Sequence, residues 1–169
     1  AIVRVAELTA DLRTIEATVQ SLESLDAIFI SAGPADSSGT LDTDAAAWER
    51  LFDLHCKAPY YFVARALPLL RRSTRPRVVM VAPAPTCSPE SFAAPAVPCA
   101  VISQIRGLYV VGMAAELAST EPGSVCVNAI WGGMGRDPTA ACCLGLLAYA
   151  EESGTFYAVD ANAPWVETQ

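Results

Sequence analysis

Side chains that can transfer a proton near neutral pH are few in this sequence and stand apart from one another. His55 is the single histidine and Lys57 the single lysine among 169 residues. Tyr109 has Met113 four residues later, at the spacing of helical neighbours, so no ammonium group accompanies it. A histidine serves as a catalytic base when a nucleophile lies beside it, and no serine or cysteine can be assigned to that role. We therefore expect His55 to occupy a helix surface or a helix interface.

The cysteines do not form a metal-binding pattern. None of the six belongs to a Cys-x-x-Cys motif, and one histidine is available to join them. We expect no metal site and, in a reducing cytosol, free thiols rather than disulfides. The six residues are Cys56, Cys87, Cys99, Cys126, Cys142 and Cys143.

Two further clusters could bind ligands but have simpler interpretations. Asp42, Asp44 and Glu49 could supply a pair of catalytic carboxylates, but they stand where an apolar stripe begins, which is typical of a helix start. The glycines around Gly132 could cradle a phosphate. Arg136 is the basic residue near them, and we interpret the segment as a turn.

Composition narrows the class of protein. Hydrophobic residues make up 53% of the sequence and charged residues 17%, which favours a folded domain with a large buried area over a disordered chain. The formal net charge of -7 opposes a nucleic-acid partner. No apolar run reaches the roughly 18 to 20 residues of a membrane span, and no signal segment is recognisable. We therefore expect a globular protein that binds neither nucleic acid nor membrane.

Alternating strand and helix patterns must position the candidate side chains. Short apolar or β-branched runs predict strands at 2–5, 27–31, 78–81, 124–130 and 155–160. Apolar residues at helical spacing predict helices at 9–22, 45–70, 99–119 and 140–150, with Asp44 as a cap and Pro59 as a kink or break. This order predicts an α/β fold with a three-layer, doubly wound parallel sheet, in one domain over residues 1–169.

Six short segments carry motifs whose order is informative. They are Glu7-Leu8-Thr9, Ile30 to Gly33, Trp48 to Leu70, Gly107 to Ala118, Val127 to Gly132, and Gly154 to Asp160. Taken together in this order, they resemble the short-chain dehydrogenase/reductase family over residues 7–160. The resemblance implies a Rossmann-like fold of the type found in that family.

The resemblance also implies a chemistry, namely hydride transfer between a nicotinamide and a carbonyl or alcohol carbon. That reaction uses a Ser, a Tyr, a Lys four residues after the Tyr, and a supporting Asn. Along the matched segments, the Tyr position falls on Pro98, the Lys position on Ile102, the Ser position near Ala84 or Pro85, and the Asn position on His55. Proline and isoleucine transfer no proton, so we expect degenerate positions and no catalytic residues.

The segments that bind the cofactor in that family are also poorly matched in this sequence. Glu7, Ala32, Gly33 and Gly132 match family positions that touch the cofactor, and we interpret them as vestiges. No glycine-rich turn opens a first helix to hold the pyrophosphate. The matched segments begin at the family's third strand, so we expect the N-terminal part of the fold to be missing or disordered. We expect this chain to bind no cofactor itself.

Our leading hypothesis is a non-catalytic, dehydrogenase-like subunit. It would support an active paralogue in a hetero-oligomeric, cytoplasmic NAD(P)-dependent alcohol or ketone oxidoreductase, with NAD(P) held by the partner. As in the family's oligomers, it would dock through the helices around 45–70 and 99–118. One alternative is an active but atypical reductase whose N-terminal cofactor-binding part lies outside this sequence, and another is a fold reused as a regulatory binding module.

Overall fold

Five strands form one sheet in the computed structural model, which describes residues 11–31, 43–89, 97–121, 123, 125–131, 151–158 and 166–168. The first four strands run parallel and are hydrogen-bonded in chain order, and the fifth pairs antiparallel with the fourth. They are β1 (Ala27–Ile30), β2 (Arg77–Val81), β3 (Cys126–Trp131), β4 (Phe156–Ala158) and β5 (Val166–Thr168). Parallel strands alternating with helices give the predicted Rossmann-like α/β architecture.

The sequence patterns locate β1 to β4 and miss β5. β5 has only three residues, too few for an apolar alternation to be recognised. The strand predicted at 2–5 and the helix predicted at 140–150 lie outside the described residues.

The central strands are buried because both of their faces are covered. Val78, Val79 and Met80 of β2 are each at most 1% exposed. In β3 every residue from Cys126 to Ile130 is buried, while Trp131 at the carboxyl end is 40% exposed. A continuous apolar run is what a parallel strand between two helical layers requires.

The first helix, α1 (Leu12–Gln20), begins three residues later than its apolar pattern predicts. The Asp11 carboxylate accepts hydrogen bonds from the backbone N–H groups of Arg13 (3.1 Å) and Thr14 (3.3 Å), which fixes the start. Ile15 and Val19 form its buried stripe, and α1 packs against the third helix.

A long helical stretch follows β1 and is divided by a π-helical turn. It consists of α2 (Ala45–Phe52), the π turn (Asp53–Lys57) and α3 (Ala58–Leu70). Asp44 caps α2 as predicted, accepting from the Ala47 N–H at 2.7 Å. The predicted break at Pro59 is present, and it takes the form of this turn. Proline has no N–H to give to the carbonyl four residues earlier, and the widened turn just before it carries the Ala58 N–H to the Asp53 carbonyl instead.

The longest helix, α4 (Val97–Thr120), crosses the sheet with Pro98 in its first turn. Its segment Ala100–Thr120 has 21 residues and a mean hydropathy of 1.2, enough by length and composition to cross a membrane, which corrects the expectation that no such run exists. In the fold, however, Val110, Ala114 and Leu117 belong to the hydrophobic core together with residues of β2 and β3. The apolar character of α4 therefore has an explanation in the packing of the sheet.

Candidate functional site

The structure describes four of the predicted site positions, and they lie on three elements. His55 is in the π turn, Pro85 follows β2, and Pro98 and Ile102 are in the first two turns of α4. The four vestigial positions lie outside the described residues: Glu7, Ala32, Gly33 and Gly132.

The loop after β2 is held tightly against α4. A Cβ added at Gly107 would overlap the Pro83 carbonyl oxygen and would lie 3.2 Å from the Pro85 ring. The Thr86 N–H donates to the Gln104 side-chain oxygen at 2.8 Å, so the loop is fixed to the same helix a second time. Pro85 therefore occupies a defined place beside α4.

Ile102 and Pro98 are part of the packing of α4. Ile102 is 0% exposed and Pro98 is buried. Neither side chain carries a group that donates or accepts a proton. The single lysine, Lys57, binds the Asp53 carboxylate at 3.1 Å across the π turn. Among the described residues, then, no Tyr–Lys pair stands at these positions.

His55 is buried at the junction of the π turn and α4. It is 3% exposed, and its Nδ1 has no hydrogen-bond partner in the described part of the chain. Burial lowers the pKa of the imidazole, and the guanidinium of Arg106 lowers it further, so the ring is neutral near pH 7. This confirms a histidine at a helix interface.

The neighbouring thiol and phenol are not activated for nucleophilic or base chemistry. Burial raises the pKa of Cys56 to about 11, and the charge of Arg106 offsets only part of that effect. Burial also raises the pKa of Tyr109, with smaller contributions from Cys56 and Tyr60. A catalytic thiolate or phenolate requires a pKa shifted in the other direction.

Arg106 is the site residue that sequence reasoning missed. It is 8% exposed on α4, and its Nη2 donates to the Ser103 hydroxyl at 3.3 Å. The signal was available, because Arg106 is the one charged residue between Val97 and Ala115 in an otherwise apolar helix. A charge on the core side of such a helix indicates a specific electrostatic partner.

A second polar network joins β3 to the turn before β4. Asn128, which is 1% exposed, donates through Nδ2 to the Glu152 carbonyl at 2.8 Å and accepts the Thr155 N–H at 3.0 Å. The Ser153 hydroxyl accepts the Val127 N–H at 3.0 Å. The Val-Asn motif therefore has a structural role in this chain, namely to fix the entry of β4.

Among the described residues of the helices around the buried His55, five large apolar side chains are exposed. They are Phe52 on α2 (36%), Tyr60 on α3 (45%), and Val97 (47%), Leu108 (56%) and Val111 (45%) on α4. The rings of Tyr60 and Tyr109 lie 5.6 Å apart and join α3 to α4. We call Tyr60, Leu108 and Val111 the α3–α4 apolar face. No group of three or more potential metal ligands occurs among the residues that the structure describes.

No protein-family model and no curated protein sequence matches this chain. Solved structures do match its fold. A protein from Xanthomonas campestris assigned as a dehydrogenase has a TM-score of 0.74 at 19% identity, with 88% of this chain and 62% of that protein covered. A short-chain dehydrogenase/reductase from Burkholderia xenovorans has a TM-score of 0.73 at 20% identity, with coverage of 88% and 70%.

A third match comes from a short-chain dehydrogenase of Shigella flexneri 2a, solved in complex with NADP. Its TM-score is 0.68 at 16% identity, and the match covers 91% of this chain and 72% of that one. At such identities the likeness establishes the fold, which is that of the short-chain dehydrogenases. This chain spans less than two thirds of the Xanthomonas protein.

Proposed function

We propose that this chain is a non-catalytic subunit of short-chain-dehydrogenase type that docks on a catalytic relative. The relative would carry the NAD(P)-dependent alcohol or ketone chemistry, and this chain would complete its assembly. The observation that supports the proposal is the burial of Pro98 and Ile102 in the first part of α4. The sequence resemblance assigns these two residues to the family's Tyr and Lys positions.

The electrostatics of the described site support an inactive chain. A reductase of this family needs an acid that gives up its proton near neutral pH. Here His55 is neutral and buried, the pKa of Tyr109 is raised, and the ammonium of Lys57 is bound to Asp53.

The residues that the sequence resemblance assigns to the ribose-binding positions also argue against a bound nicotinamide cofactor. Holding its ribose takes hydrogen-bonding side chains, and Pro98 and Ile102 offer none. We therefore propose that this chain binds no cofactor and that NAD(P) belongs to the partner.

The exposed side chains support docking through the helices at 45–70 and 99–118. Phe52 and the α3–α4 apolar face expose large hydrophobic groups on these helices, and exposed hydrophobic clusters of this kind mark protein interfaces. A subunit that binds only the folded form of its partner stabilises that form by mass action. We place the complex in the cytoplasm, where thiols such as those of Cys56, Cys87 and Cys126 remain reduced.

The test is co-purification of the full native chain from its source. We expect a second protein that carries the family's Ser, Tyr and Lys, and we expect the double variant Leu108→Asp/Val111→Asp to lose it. Ala17→Asp, at an exposed position of α1, is the matched control and should retain the partner. Circular dichroism should show both variants folded. A homogeneous monomer without a partner would overturn the proposal.

A second candidate function is an active but atypical reductase. It is favoured by two observations, namely that related folds were solved with NADP or NADPH and that this chain spans only 62% to 78% of the matched structures. Calorimetric titration of the full-length native protein with NADP and NADPH decides between the two. Binding at micromolar concentrations supports the reductase, and no heat of binding supports the non-catalytic subunit.

A further inference from the structure

A histidine and an arginine are both buried where the π turn meets α4. His55 is 3% exposed and Arg106 is 8% exposed, while Ile102, one turn before Arg106, is 0% exposed. The π turn packs on α4 as well as on α2 and α3, its neighbours in the chain. An added charge at His55 would therefore sit inside a packed contact between helices.

Among the charged groups of the described residues, Arg106 is the one that acts on the imidazole of His55. Within the π turn, Asp53 and Lys57 neutralise each other at 3.1 Å. On α2, Glu49 and Arg50 are exposed. Cys56 is a neutral thiol near neutral pH, because its pKa lies at about 11.

The phenols of the neighbouring helices complete this environment. On α3, Tyr60 and Tyr61 stack edge to face with ring centroids 5.7 Å apart. On α4, Tyr109 lies against Tyr60, and burial raises its pKa. Tyr109 therefore carries no charge in mildly acidic solution, so it does not compensate a charge on His55.

We propose that His55 is a proton-operated latch between the π turn and α4. With a neutral imidazole, the π turn and α4 pack closely. A proton added to the buried ring in mildly acidic solution puts a second cation near Arg106, and the packing of α4 on the π turn loosens. α4 also carries part of the α3–α4 apolar face. When α4 loosens, we therefore expect the partner to be released, and this last step rests on the proposed function.

The direction of the effect follows from the difference between the folded and the unfolded chain. The pKa of His55 is lower in the folded state than in the unfolded state. At a pH between these two pKa values, unfolding therefore takes up a proton. The stabilisation is complete above about pH 6.5 and is lost as the pH falls from there towards the folded pKa. Because unfolding takes up one proton, the equilibrium constant of unfolding rises by about tenfold for each unit by which the pH falls within this window.

The single histidine makes the latch directly measurable in the full native chain. We expect the NMR signals of its imidazole to titrate at a pH below the ordinary pKa of histidine. We also expect the protection factors of the α4 amides, which are intrinsic hydrogen-exchange rates divided by the observed rates, to fall by about tenfold for each unit of decreasing pH between pH 6.5 and the histidine titration point. A histidine that titrates at about 6.5 with unchanged α4 protection would overturn the proposal.

His55→Gln supplies a polar side chain that stays neutral at every pH. Its α4 exchange should be independent of pH between 5 and 7 once intrinsic exchange rates are divided out, whereas an unchanged pH dependence contradicts the latch. If this variant does not fold, the NMR titration of the wild-type histidine still decides. Partner retention at pH 5.5 and 7.5 is measured separately, so a missing partner refutes the proposed function and leaves the latch to be judged by α4 exchange.

Discussion

Two glycines in α4 provide a matched pair of substitutions with opposite expected signs. At Gly107 a new Cβ would overlap the Pro83 carbonyl oxygen and would lie 3.2 Å from the Pro85 ring. At Gly112, five residues further along the same helix, a new Cβ meets nothing within 4 Å. The same change, Gly→Ala, therefore tests whether the loop after β2 is pressed on α4.

The magnitudes follow from two effects. Alanine in place of glycine stabilises a helix interior by about 0.5–1 kcal/mol, and Gly112→Ala should show this gain alone. Gly107→Ala has the same gain, but overpacking costs about 1–3 kcal/mol. The neighbouring bond from Thr86 to Gln104 holds the loop and limits its retreat. We expect Gly107→Ala to be less stable than the wild type by about 1–2 kcal/mol.

The assay is thermal unfolding of both variants beside the wild type in one buffer at pH 7.5. At about 2–4 °C per kcal/mol for a chain of this size, the two variants should differ in Tm by about 5–10 °C. Equal stabilisation by the two substitutions would refute the contact between the loop and α4. It would also remove the argument that Pro85 has a defined place beside that helix.

Two further predictions concern the polar network of β3 and the thiols. Asn128→Ala removes the partner of the Glu152 carbonyl and of the Thr155 N–H, and it should lower the free energy of unfolding in urea by about 2–4 kcal/mol. Ser153→Ala removes the part of the same network that binds Val127, chiefly the bond accepted from the Val127 N–H, so it should cost less, and equal small losses for both variants would contradict the role of Asn128. Iodoacetamide at pH 8 should label the exposed Cys87 in the native chain, while Cys56, 0% exposed with a pKa of about 11, should react only after unfolding. Peptide mapping by mass spectrometry distinguishes the two, and early labelling of Cys56 would refute its burial.

The parts of the fold that the sequence predicts are those determined by local patterns. β2 and β3 are continuous apolar runs, and the cap at Asp44 and the break at Pro59 follow from single residues whose chemistry allows few alternatives. β5 is not predictable in this way, because its three residues gain strand structure from pairing with β4.

The candidate site was predictable in its residue types and less so in its contacts. The sequence predicts helical positions for Pro98, Ile102 and His55, as the structure has them, and it predicts either a helix surface or a helix interface for His55, of which the structure shows the interface. The effect of the Arg106 charge on His55 was not predicted, because the pair is separated by 51 positions and depends on how α4 crosses the π turn. The bonds from Asn128 to residues 152 and 155 are likewise tertiary.

The burial of Ile102 limits how easily substitutions could introduce a Tyr–Lys pair into this chain. A lysine there would bring an ammonium group into a fully buried position, one helical turn from the cation of Arg106, at a cost of several kcal/mol. A tyrosine in place of the buried Pro98 would insert a larger side chain into a buried position, which is typically destabilising. Each single substitution towards a Tyr–Lys pair is therefore expected to lower the stability of the fold before any activity can appear. This disfavours replacement of the present residues. An engineer who wants a reductase on this scaffold would have to redesign the neighbours of α4 first.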